Sequence, residues 1–221
     1  CPENMGEMMK IGRRGSMTAY FTVRGIQGHS AYPHRAKNPL PVMAELICDL
    51  TSFELDQGSE HFDPSTLAVT TIDTGNLANN VIPAESRATV NIRFNDMHTS
   101  EELSVWLKEV TNKIASKSDV EINMEIQVSG ESFITALGSF SDLVSNSVYS
   151  ETGIYPQAST SGGTSDARFV KDHCPVVEFG LVGKTMHQVD ERVSVNHIHQ
   201  LKAIYAQIAR LFLLANFRLA I

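Results

Sequence analysis

Cysteine is scarce in this chain of 221 residues. Cys1, Cys48 and Cys174 are too few and too far apart for a disulfide framework or a thiolate zinc site, and they point to a reducing compartment. Basic excess is missing as well. A net charge of −7, with no run of Lys or Arg, argues against nucleic acid as a partner. No apolar run is long enough to span a membrane: the longest, Ile208 to Ala215, is interrupted by Arg210. The opening Cys1-Pro2-Glu3-Asn4 has neither an initiator Met nor a signal-peptide pattern, so the chain is expected to be part of something longer. What remains is an ordinary globular balance, with 42% hydrophobic and 19% charged residues and enough length for one large domain or two small ones.

The densest chemistry lies in Gly25-Ile26-Gln27-Gly28-His29-Ser30-Ala31-Tyr32-Pro33-His34. A β-branched and aromatic run, Met17 to Val23, predicts a strand before it. Gly25 and Gly28 suit turns that strain other residues, and Pro33 biases Tyr32 toward extended backbone. Two imidazoles and a phenol are thus expected on a stiff loop at a strand end, facing a ligand.

Around this loop, periodicity predicts a helix over Pro41–Leu50 and strands over Thr66–Ile72 and Ser86–Phe94. A helix capped at Thr99 or Ser100 follows, with Leu103, Trp106, Leu107, Val110 and Ile114 as its stripe, and then a strand over Asp119–Val128. The order from residue 16 to 128 is β-α-β-β-α-β, an α+β, ferredoxin-like layout of four strands with two helices on one face. Beyond Gly130 the sequence predicts a helix over Gly138–Ser150, a small-residue loop over Ser159–Phe169, a short buried strand over Val176–Gly180 and a helix over Val195–Phe217. The glycines, Thr and Ser of that loop could form an anion-holding nest. It is not a P-loop, because the Gly-Lys-Ser/Thr ending is absent.

Several side chains keep two readings open. Arg13 and Arg14 are either a carboxylate clamp in a paired-Arg turn or two solvated cations. Asn79 and Asn80 either grip a substrate or make turns. Arg93 is either functional or an ordinary strand residue. His187, followed by Asp190 and Glu191, is either a metal ligand or structural. His197 and His199 read as surface residues.

Together, Gly12-Arg13-Arg14-Gly15-Ser16, the His29 loop, Asn79-Asn80-Val81-Ile82-Pro83-Ala84-Glu85, Gly162 to Phe169 and His187 resemble, in order and spacing, the zinc aminoacylase and carboxypeptidase family. Within it they resemble its succinyl-diaminopimelate desuccinylase branch. The resemblance covers nearly the whole chain. It implies a homodimeric, cytoplasmic bacterial enzyme with two zinc ions, for which cobalt is a possible substitute. Such an enzyme hydrolyses N-succinyl-LL-2,6-diaminopimelate to succinate and diaminopimelate in lysine biosynthesis.

The same resemblance implies that residues 16–128 form a lid and dimerisation domain. Residues 1–15 would then be hinge and catalytic-domain remnant, and residues 129–221 the C-terminal part of a zinc-peptidase-like α/β catalytic domain. By implication His29 steadies the oxyanion from the partner subunit, and Tyr32, Asn79 and Asn80 contact substrate, also in trans. Arg13, Arg93, Gly163 and Thr164 hold its carboxylate ends, and His187 is a zinc ligand. The family's other zinc ligands and its general-base Glu lie upstream of Gly12, and none of those motifs occurs in these residues. The chain alone is therefore expected to bind little or no zinc and to hydrolyse nothing. Its segment after Gly130 is expected to expose apolar faces such as Val176-Val177 and Leu211 to Leu214, and to be poorly ordered or packed on another chain. The competing expectations are a related deacylase or carboxypeptidase, and a dimerisation module without catalysis.

Overall fold

The computed structural model describes residues 4–163 and 165–217. The chain divides into two compact units, one of Cys1–Arg13 with Ile134–Ile221, the other of Arg14–Phe133. It opens with strands β1 (Met8–Lys10) and β2 (Gly12–Arg13). The second unit then supplies β3 (Gly15–Arg24), β4 (Gly28–His29), α1 (Pro39–Ser52), β5 (Thr66–Asp73), β6 (Val81–Ile82), β7 (Glu85–Phe94), α2 (Ser100–Ala115) and β8 (Glu121–Gly130). After β9 (Phe133–Ile134), α3 (Ser139–Thr152), β10 (Gln157–Ser159), α4 (Ala167–Val170) and α5 (Val195–Phe217) complete the first unit.

In the second unit the four long strands form an antiparallel sheet in the order β5-β7-β3-β8. With α1 and α2 as crossovers this is the ferredoxin-like layout. Alternation builds its core: Met17, Ala19, Phe21 and Val23 of β3 and Ala88, Val90, Ile92 and Phe94 of β7 are buried on one face. Met43, Leu46 and Leu50 of α1 and Leu103, Leu107 and Ile114 of α2 cover them. Register places Phe21 between Ala88 and Met124. The start of α2 is set by a capping box in which Thr99 accepts from the Glu102 N–H and the Glu102 carboxylate accepts from the Thr99 N–H. One loop-locking network has a nearly buried carboxylate at its centre. Asp56, with 2% of its side chain exposed, accepts from the Gly58 and Ser65 N–H groups and from Asn95 Nδ2, and lies 3.1 Å from His98 Nε2.

The first unit has a core of its own, Met5, Met9, Ile11, Val144, Val148 and Ile204, with α3 packed on α5. Leu211, Phe212, Leu213 and Leu214 of this unit remain 39–54% exposed. Three expectations are corrected. Val176–Phe179 is half-buried, Gly180 is exposed, and no strand forms: only Glu178 pairs, in an isolated antiparallel bridge with Lys10. β1 is three residues long and pairs along its other edge with β10, so the bridge to Glu178 is a single rung. Gly12-Arg13-Arg14-Gly15 is not a turn but the run from β2 into β3. Gly25 and Gly28 are not at positive φ; they are needed for close approach, since a Cβ on Gly25 would lie 1.9 Å from the Lys37 carbonyl oxygen, and one on Gly28 would lie 2.7 Å from Ala36 Cβ.

Candidate functional site

The His29 loop and the Asn79-Asn80 loop are zipped together. β4 pairs antiparallel with β6, matching Gly28 with Ile82 and His29 with Val81, and the Ser30 N–H donates to the Asn80 carbonyl at 2.9 Å. The Tyr32 N–H returns to the His29 carbonyl at 2.8 Å, and a short 3₁₀ turn over Pro33–Arg35 closes the loop. These bonds leave His29, Tyr32, Asn79 and Asn80 exposed at one end of the sheet.

The tautomer of His29 follows from its contact. Nδ1 accepts the Ala31 N–H at 3.0 Å, so the proton of the neutral ring is on Nε2, an outward hydrogen-bond donor. Tyr32 packs beside it with ring centroids 5.9 Å apart, the Arg35 guanidinium lies 5.3 Å from the Tyr32 centroid, and His34 meets that ring edge-on. The turn chemistry of the second loop is done by Asp73, Thr74 and Asn76, which accept from the N–H groups of Gly75, Asn76 and Ala78. Asn76 Nδ2 also donates to the Val81 carbonyl. Among the described residues, the Asn79 and Asn80 side chains make no such turn bond.

Arg93 is elsewhere. Its Nε donates to Asn91 Oδ1, and it pairs in register with Ser16 and Thr66. β7 begins at Glu85, beside the His29 end of the sheet, so the strand rise puts Arg93 roughly 26 Å away along it. A single small molecule cannot bridge that distance.

Arg13, in the first unit, and Arg14, in the second, are not one clamp, because successive side chains on extended backbone point to opposite sides. Arg14 donates to the Pro64 carbonyl within its own unit. Arg13 Nε and Nη2 both reach Glu178 Oε2, at 2.6 and 2.5 Å, and Nη1 donates to the Ser161 carbonyl at 3.0 Å. Gly162, at φ +106, closes one side: a Cβ there would stand 2.5 Å from Nη1. Lys10 Nζ donates to the Ser159 and Ser161 hydroxyls, at 2.9 and 2.6 Å. Burial, and after it the charge of Arg13, lower the Lys10 pKa to about 8, with Glu178 opposing. Gly163 is exposed, and Thr164 lies outside the described residues.

Sequence reasoning missed Lys10, Ser159, Ser161, Gly162 and Glu178. Glu178 had a signal: an acid inside the apolar run Val176-Val177-Glu178-Phe179 needs a partner.

His187 is exposed and left-handed, at φ 62, and its backbone N–H lies 3.4 Å from Glu191 Oε2. A catalytic zinc takes three protein ligands, and no group of three candidate ligands occurs among the described residues. The donors among the described residues do not fit a metal centre by themselves. Nor is any described helix long and apolar enough to cross a membrane.

Residues 11–119 match the M20 peptidase dimerisation domain. The chain is 66% identical over 212 residues to the succinyl-diaminopimelate desuccinylase of Ruegeria pomeroyi, which covers 96% of this chain and 56% of that protein. It is 67% identical over 210 residues to that of Cereibacter sphaeroides, covering 95% and 55%. The chain thus spans about half the length of the curated relatives that it matches. Among solved structures, a tripeptidase from Staphylococcus aureus has a TM-score of 0.77 at 19% identity, covering 94% of this chain and 54% of that one. An M20 family metallo-carboxypeptidase from Sulfolobus solfataricus has a TM-score of 0.72 at 13% identity, covering 91% and 59%. At such identities they share the fold. With the ferredoxin-like unit and its matched segment in hand, the chain carries the M20 peptidase dimerisation domain and is homologous, along 96% of its length, to the succinyl-diaminopimelate desuccinylases.

Proposed function

We propose that this chain supplies the substrate grip and the dimer contact of a metal-dependent amidohydrolase. Its substrate is N-succinyl-LL-2,6-diaminopimelate, cleaved to succinate and diaminopimelate in the bacterial cytoplasm. The observation that carries the reading is the roughly 26 Å between the His29 cluster and Arg93. One copy cannot apply both ends of its machinery to one small substrate, whereas a symmetric pair of copies can. In such a homodimer His29 Nε2–H is the donor for the tetrahedral oxyanion formed on the other copy, and Tyr32, Asn79 and Asn80 contact substrate beside it. Arg13, Arg93, Gly163 and Thr164 receive the carboxylate ends, and His187 is one ligand of a two-zinc centre, for which cobalt is a possible substitute. A chain of the relatives' length has to supply the other ligands and the general base. With His187 as one ligand and the rest from such a longer chain, that centre would supply polarisation of the scissile carbonyl and an activated water.

The test is an enzyme assembled from this chain and the part of the Ruegeria pomeroyi desuccinylase that it does not match. Zinc-dependent release of succinate, much faster than release of acetate from the N-acetyl analogue, is expected. Equal or faster deacetylation would favour a related deacylase, and dimers without turnover would favour a dimerisation module alone.

A further inference from the structure

Glu178 sits in the first unit with no role assigned by anything above. Its placement is built from the backbone outward: Lys10 and Glu178 exchange both backbone hydrogen bonds, at 2.8 and 2.9 Å, so the carboxylate is carried rigidly beside β1. From there it takes two of the five N–H groups of Arg13, and the Ser161 carbonyl takes a third. The remaining two, one on each terminal nitrogen, are uncommitted among the described residues. Gly162 packs so close to Nη1 that no side chain could stand there. Both partners of the pair are mostly buried, with 17% and 25% of their side chains exposed, where a guanidinium without a partner would be costly. Lys10 Nζ lies against the same serines, so two cations face one anion and a ligand carboxylate is still attracted.

We infer that Glu178 is a positioning residue: it holds the Arg13 guanidinium against Gly162 and the Ser161 carbonyl, so that its two remaining N–H groups meet a ligand carboxylate as a fixed fork. The inference rests on the reading of Arg13 as a carboxylate-binding residue. Preorganisation is the gain, since a loose arginine loses side-chain freedom on binding and a held one has already lost it. Discrimination follows from the same geometry, because a fork of two N–H groups suits a planar carboxylate better than a neutral amide.

The test is calorimetric titration of the 221-residue chain with succinate, in wild type, Arg13→Ala, Glu178→Gln and the double variant, well below each unfolding midpoint. Glu178→Gln keeps the volume and one acceptor but removes the charge. The expected result is a loss of about tenfold or more for Arg13→Ala, about fivefold for Glu178→Gln, and no further loss when the two are combined. A merely structural glutamate would lower the melting temperature without that coupling. Wild-type affinity in Glu178→Gln, or losses that multiply, would overturn the positioning role while leaving Arg13 a binding residue. Unchanged affinity in Arg13→Ala, or no wild-type binding at millimolar succinate, would overturn the underlying reading and the inference with it. Should Glu178→Gln unfold, Glu178→Asp decides in its place, since it keeps the charge but draws the guanidinium back and is expected to weaken binding as well.

Discussion

At the scale of single residues, His29 and Asp56 illustrate how little a side chain's type fixes until its neighbours are known. His29 is a donor because the Ala31 N–H occupies Nδ1. In the assembled enzyme, His29→Ala is expected to lower kcat by about a hundredfold or more with KM little changed, the pattern of a group used mainly in the transition state. A rise in KM alone would make it a binding residue instead. For Asp56, burial raises its pKa, but the bonds from Ser65, Gly58 and Asn95 outweigh that and hold it below the ordinary carboxylate value of 3.8. A depressed folded pKa contributes stability that is complete above the unfolded value and lost as pH falls through the folded one, so this unit is expected to weaken below about pH 4. Asp56→Ala leaves buried donors unpaired and is expected to cost about 2–3 kcal/mol in urea unfolding at pH 7, against little for the exposed Asp73→Ala.

At the scale of elements, the four long strands and two helices of the second unit were legible because each alternates or stripes over eight residues or more. The cap read at Thr99 or Ser100 marked where α2 begins, and the structure makes it Thr99. The misses have local causes. Val176–Gly180 has strand composition, but a strand exists only where a partner ladder continues, and β1 ends after three residues. At Gly25 and Gly28 the residue type was read correctly and the reason wrongly, since the constraint comes from Lys37 and Ala36, some ten residues on. Gly25→Ala is therefore expected to destabilise the unit by about 2 kcal/mol or more and to displace the His29 loop, measurable as altered His29 imidazole resonances. Wild-type stability would contradict the close approach. The cluster around β1 offers a pH signature. Because the folded pKa of Lys10 is lowered from 10.5 to about 8, its charged form penalises the folded state below pH 8, and the penalty disappears as pH rises to 10.5. The stability of Lys10→Met minus that of wild type is expected to fall across that window. A flat difference would show that Lys10 titrates normally.

At the scale of the whole molecule, the site residues named from the sequence fall into separate groups: the His29 cluster at one end of a sheet, Arg93 at the other, and Arg13, Gly163 and His187 in the other unit. Motif spacing gives the order of such groups along a chain but not their distance in space, so this separation was not legible from the sequence. On the proposed reading it would give a dimer a chemical purpose, each copy lending its His29 end to the site of the other. Mixing tests this most directly. Inactive assembled enzymes carrying His29→Ala and Arg93→Ala are dissociated, combined in equal amounts and reassociated. If His29 works in trans, half of the dimers are mixed and one of the two sites in each holds both residues, so activity returns to about one quarter of wild type. If His29 serves the copy that carries it, every site lacks one residue or the other, and mixing restores nothing.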